Sequence, residues 1–323
     1  MIRWLVLAAA ALVVLAVAVA VGPVALSPGE VAAALLGRGE GASGAIVRHL
    51  RLPRVLLAFL VGGSLSVTGA VLQALVRNPL ADPYLLGLSG GAALGAVLAI
   101  TVGLGGAWAV PLAAAVGALT AVALVYRLAV VAGTVLDTRV LLLAGVVVGA
   151  FASAIVGAIM ALSPAQQLRG ALLWLLGGFD GASWQALAVF TAYAIVPLII
   201  LYRASRLLDL LSLGEEPARF LGADIEPLKR TLYLAASVLT AAAVAVSGII
   251  GFVGLVIPHA IRLLWGHTHR VLLPGAFVLG GALLAAADAL ARTAFAPLTL
   301  PVGVVTAIIG VPVFAVLVRK WAM

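Results

Sequence analysis

The residues able to do chemistry in this chain are few, and their spacing excludes more than it offers. Asp288 is the main carboxylate set inside an apolar run, where a lone acid would be a candidate proton or cation relay. Arg292 follows one helical turn later, and at that spacing the two side chains neutralise each other, which predicts a structural pair. The four histidines, His49, His259, His267 and His269, lie near the ends of apolar runs with no spacing that gathers ligands on one helix face. His267 and His269 read as loop residues in water. There is no cysteine, which removes thiolate metal sites and disulfides. A phosphate-gripping loop of the form G-x-x-x-x-G-K-S/T needs a lysine followed by serine or threonine. The only lysines are Lys229, followed by Arg230, and Lys320, followed by Trp321. No Ser/His/acid set is visible. The expectation is a non-enzyme with no catalytic residues, no metal site and no cofactor bound by the chain itself.

The charges that remain are concentrated. The 28 positions from Arg203 to Arg230 hold ten of the chain's nineteen basic and eleven acidic residues. The rest is strongly apolar: 65% of the sequence is hydrophobic, 9% is charged, and the mean hydropathy is +1.28. A soluble domain cannot enclose that apolar fraction over 323 positions, whereas a bilayer solvates it. A net charge of +8 would suggest nucleic acid in a soluble protein, but here the charges flank apolar runs and set orientation in lipid. No nucleic-acid partner is expected.

A membrane span needs about 20 mostly apolar residues. Ten are predicted, at 4–22, 53–73, 84–103, 107–127, 140–162, 184–203, 231–249, 250–266, 271–290 and 301–318. The chain reads as an all-α polytopic membrane protein with a single transmembrane domain over 1–323. The first apolar run, from Trp4 to Val21, is longer than a signal-peptide core and reads as a retained helix. Only Ser247-Gly248 and Gly251 mark the turn within 231–266. Placing the N-terminus inside puts thirteen of the nineteen Lys and Arg residues in cytoplasmic loops. The even span count then brings both termini and a loop at 204–230 to the cytoplasm. Arg38, Arg48, Arg51, Arg54, Arg169 and Arg292 stay outside, against the bias. Glycines recur at helix-packing spacing, at Gly87, Gly91 and Gly95 and again at Gly145 and Gly149. A faint repeat pairs Ser66-Val67-Thr68-Gly69 and Pro79 with Ala245-Val246-Ser247-Gly248 and Pro258; five spans apart, the copies would run in opposite directions.

Several runs resemble a known family. Arg51-Leu52-Pro53-Arg54, Gly69-Ala70-Val71-Leu72-Gln73, Arg77-Asn78-Pro79-Leu80-Ala81-Asp82-Pro83, the stretch Leu213 to Gly222, Ile250 to His259 and Leu300 to Thr306 are similar to the permeases of ATP-binding-cassette importers for iron chelates and vitamin B12. The similarity covers most of the chain from about residue 50, in order. It implies the type II importer permease architecture: a ten-helix subunit that pairs with a second copy of itself around a central pathway. It also implies two partner ATPase subunits, which carry ATP and Mg, and a periplasmic or lipid-anchored substrate-binding protein. The implied location is the cytoplasmic (inner) membrane of a bacterium or archaeon.

The resemblance carries site residues with it. Leu213, Gly214, Glu215, Glu216, Arg219, Leu221 and Gly222 match the loop that couples to the ATPase. Arg51, Arg54 and Arg292 match arginines that receive carboxylates from the binding protein, and Asn78 and Leu80 match the cytoplasmic gate. The residue types agree with these roles. Gly214 and Gly222 can end short helices, arginine's planar fork suits a carboxylate, and Pro79 breaks a helix. With no cysteine and few histidines to ligate a bare ion, the expected cargo is a metal already wrapped in a chelator: ferric siderophore, haem or cobalamin. The rival is a stand-alone secondary transporter of a small organic solute, which needs a mid-membrane titratable group that the sequence does not offer.

Overall fold

The structure, a computed structural model, describes residues 2–39, 41–131 and 136–321; the side chains of Arg319 and Lys320, counted above toward the cytoplasmic side, lie outside the described residues. The first helix, α1 (Ile2–Ala20), is followed by two short ones, α2 (Pro28–Leu35) and α3 (Gly41–Ala45). A turn of π-helix, Ile46–Arg51, feeds α4 (Leu52–Val76). After a 3-10 turn at Pro83–Leu86 come α5 (Leu88–Thr101), α6 (Ala109–Val131), α7 (Thr138–Leu162), α8 (Ala165–Leu175) and α9 (Trp184–Arg203). The charged loop folds as α10 (Ser205–Ser212) and α11 (Glu215–Phe220), and the chain closes with α12 (Ile225–Ser247), α13 (Val253–Trp265), α14 (His269–Thr293) and α15 (Val302–Trp321).

Among the described residues seven helical segments are long and apolar enough to cross a membrane, and three shorter apolar helices, Leu88–Thr101, Val253–Trp265 and Val302–Val316, fall on the other predicted spans. α4 is buried on every side from Val61 to Leu75, as an all-round apolar helix should be. It is the central post of the bundle. α14 lies along it with backbones in direct contact: a Cβ on Gly62 would fall on the Gly280 carbonyl, and one on Gly280 on the Ser66 hydroxyl. The predicted glycine stripes serve the same purpose, with Gly91 and Gly95 against Gly117 and Ala113 of α6, and Gly87 and Gly90 against Gly145 and Gly149 of α7.

The face that carries α10 and α11 is called lower here. α4 descends to it and stops at Arg77, a left-handed residue (φ 52°) whose N–H returns to the last turn. The chain then turns back inward, so that Pro83 lies against Gly254 and Leu85 against Gly145, and α5 starts from the left-handed Gly87. α12 does the reverse. It rises from the lower face, ends at Gly248 (φ 65°), turns back, and α13 starts from the left-handed Phe252 (φ 70°) beside the middle of α4. This is why α5 (14 residues) and α13 (13 residues) are short, at about 20 Å each against a core of about 30 Å.

The two re-entrant turns meet. The Tyr84 hydroxyl donates to the Ile250 carbonyl and accepts from the Ile250 N–H, both at 3.0 Å. Backbone that leaves a helix within a bilayer needs such partners inside the protein. The helices run 25, 14, 23 and 25 residues from α4 to α7, and 23, 13, 25 and 20 from α12 to α15. The inverted repeat is therefore present in the order of elements. The tetrapeptides that suggested it are not equivalent, because Ser66–Gly69 lies inside α4 while Ala245–Gly248 ends α12.

Candidate functional site

At the upper ends of α4 and α14, three arginines and two aspartates form one cluster. Asp288, with 0% of its side chain exposed, accepts from Arg54 Nε at 2.9 and 3.1 Å, pairs with Arg54 Nη2 at 2.9 Å, and accepts from Arg292 Nε at 2.9 Å. The Asp288–Arg292 pair read from the spacing is there, joined by a second arginine from the far end of the sequence. Arg292 gives its other donors to the carbonyls of Ala18 (3.0 Å) and Val21 (3.3 Å). Arg51 donates to Val19 (3.2 Å), Ala20 (2.6 Å) and Val24. These carbonyls end α1 or follow it, where a helix leaves acceptors without partners and carries partial negative charge. Two guanidinium groups close that end.

The three arginines matched to binding-protein docking are therefore not equivalent in exposure. Arg51 and Arg292 are each only 4% exposed, and their donors are taken up by the end of α1 and by Asp288. Arg54 is different. Its side chain keeps 15% exposure, and its Nη1 reaches Asp180 at 2.9 Å, a carboxylate that is 81% exposed. Asp180 carried no signal in the sequence. It is placed by the turn between α8 and α9, where the Gly178 N–H donates to the Ser247 carbonyl at 2.8 Å.

On the lower face α10 and α11 hinge at Gly214 (φ 122°), and Gly222 (φ 87°) follows the end of α11, so both glycines stand where only a residue without a side chain is comfortable. Lys229, fully buried, holds Glu215 at 3.2 Å and Glu226 at 3.1 Å. Glu226 also accepts the Leu136 N–H at 2.9 Å, and Arg219 lies 3.8 Å from it. Glu215, one of the residues matched to the ATPase-coupling loop, is thus bound within the loop, while Glu216 stays exposed. His269 is not in water either. It is buried, and Asp209 of α10 meets both its backbone N–H (2.8 Å) and its Nδ1 (2.7 Å), capping α14.

Leu208, Leu211 and Ala218 turn the apolar side of this loop inward, but three further apolar residues are left in the open. Leu213, Leu221 and Phe220 are exposed, Phe220 at 91%, and Leu213 borders a groove of about 1050 Å³ together with Arg77, Arg139, Glu216 and Lys229. Between α4 and α5, Asn78 and Leu80 are exposed at the lower face, the Asn78 Oδ1 accepting the Leu80 N–H at 2.9 Å. α4 and α14 each connect the upper cluster to the lower face without a break.

The chain as a whole matches known proteins in sequence and in fold. The FecCD transport family matches residues 9–320. The vitamin B12 import system permease protein BtuC of Salmonella arizonae is 41% identical over 326 residues, covering 99% of this chain and 95% of that protein. The hemin transport system permease protein HmuU of Yersinia pestis is 40% identical over 280 residues, or 84% of this chain and 82% of that one. A solved metal-chelate type ABC transporter in an inward-facing conformation superposes with a TM-score of 0.88 at 31% identity, covering 97% of each chain.

Proposed function

The chain belongs to the FecCD transport family, and from that premise we propose that it is the membrane permease of an ABC importer that moves a chelated metal of the cobalamin, haem or ferric-siderophore class inward. Two copies would enclose the pathway, two ATPase subunits would dock on the lower face, and a substrate-binding protein on the upper one. The lower face is the cytoplasmic one in this reading, supported by the bias of Lys and Arg toward it. The N-terminal end of α1 lies on the same face: Arg3 Nη1 donates to the Leu264 carbonyl at 3.3 Å, and the Trp4 and Trp265 rings lie tilted against each other with centroids 6.1 Å apart. ATP binding and hydrolysis in the partners would move α10 and α11, and the spans would rock to open the pathway inward past Asn78 and Leu80.

The carrying observation is the exposed apolar residues on the charged loop, Phe220 above all. An aromatic in water on a folded cytoplasmic element is the usual anchor of an interface. The rival secondary carrier has no such need, and its candidate relay, Asp288, is enclosed by two guanidinium groups. Phe220→Glu is expected to lower copurification of the ATPase subunit on the order of tenfold or more, with the permease's own elution profile unchanged because the side chain is almost wholly in water. Stoichiometric ATPase on the variant would remove the docking role of α10 and α11.

A further inference from the structure

We propose that Asp180 is a resident counter-ion seated on Arg54, which an incoming carboxylate of the docking partner must displace, so that Asp180 sets the affinity threshold of the upper face. This rests on the reading that a substrate-binding protein docks there. Three observations carry it. First, Arg54 presents the one partly open guanidinium in the cluster, since Arg51 and Arg292 are buried and their donors engaged. Second, Arg54 is held from behind: Asp288 takes the Nε and Nη2 edge, which fixes the plane of the fork. Third, the forward edge is only half used. Asp180 meets Nη1 alone, through one oxygen at 2.9 Å, and its own side chain is 81% exposed.

A carboxylate arriving from above can take Nη1 and Nη2 together, and a two-point contact outcompetes a one-point contact that is open to water. The exchange conserves charge at Arg54, so it leaves the buried Asp288–Arg292 arrangement undisturbed. It also discriminates among partners. A surface that brings a carboxylate in the right orientation displaces Asp180, and one that brings only general negative charge meets an arginine already neutralised.

The test uses the assembled transporter in lipid nanodiscs, with its purified cognate substrate-binding protein as probe. Asp180→Asn is expected to tighten binding about two- to fivefold, the scale of an exposed ion pair. The same substitution made on an Arg54→Gln background is expected to have no effect, because there is no guanidinium left to uncover. An equal tightening on both backgrounds would mean a general gain of positive charge and would overturn the proposal, as would unchanged affinity of the single variant. A binding-protein-independent measurement separates this from the docking reading. Phenylglyoxal modification of Arg54, followed by mass spectrometry, is expected to proceed faster in the Asp180→Asn chain than in the wild type. Faster modification with no binding of the probe to wild-type transporter would overturn the docking reading, and the threshold role with it. Binding to wild type with unchanged modification and affinity would overturn the role of Asp180 alone.

Discussion

Asp288→Ala is expected to destabilise the chain by about 3–5 kcal/mol, the penalty for removing one member of a buried ionic network. The carboxylate is 0% exposed and receives Arg54 and Arg292 at 2.9 Å each. Without it, two guanidinium groups face one another with no anion between them. Arg292 would still have the carbonyls of Ala18 and Val21, so the repulsion would pull at the end of α1 as well as at α4. The measurement is the thermal midpoint of the detergent-solubilised chain followed by fluorescence-detected size exclusion. Adding Arg54→Met to Asp288→Ala is expected to recover part of the loss, because that removes the positive charge facing Arg292, which Asp180 offsets only from the exposed side. Two substitutions in one network should be far from additive. A midpoint for Asp288→Ala indistinguishable from wild type would mean that water or lipid headgroups reach the site.

What could be read in advance followed from how far apart the partners lie along the chain. All ten apolar runs became helices because hydropathy sums over many neighbouring residues, and Asp288 with Arg292 was legible because one helical turn brings them together. Arg54 lies 234 residues from Asp288 and 126 from Asp180, so nothing local tied them. The burial of Arg51 and Arg292 was hidden for a different reason. Their partners are backbone carbonyls at the end of α1, and carbonyls leave no trace in a sequence. The same holds for His269, whose cap comes from Asp209 on another element. The short helices show the limit from the other side. The runs 84–103 and 250–266 look like full spans, but left-handed residues at Gly87 and Phe252 start α5 and α13 inside the bundle, where Tyr84 and Ile250 take up the freed backbone groups. The family motifs named Arg51, Arg54 and Arg292 together, but a motif carries no information on which of the three guanidinium groups stays open.

Gly69→Val is expected to prevent folding into a monodisperse protein. A Cβ at this position would fall on the Gly254 carbonyl oxygen and stand 2.5 Å from its carbon, backbone against backbone. Overpacking usually costs about 1–3 kcal/mol because side chains can move aside. Here no rotamer offers relief, and the two helices would have to part. The contact also does more than fill space. Gly254 belongs to the first turn of α13, the short helix that begins within the bundle, so Gly69 fixes where the re-entrant chain restarts against the central post. Displacing it would drag Gln73, whose amide donates to the Gly254, Leu255 and Ala81 carbonyls at 3.4 Å and thereby joins both re-entrant turns to α4. A matched control is Gly170→Ala in α8, whose Cβ would meet only Ile100 at 3.7 Å. There the gain in helix propensity, about 0.5–1 kcal/mol, should leave the thermal midpoint at or above wild type. If Gly69→Val eluted and melted like Gly170→Ala, α4 and α13 would be able to separate without unfolding. The crossing at Gly69 would then be a moving joint of the transport cycle and not a fixed one.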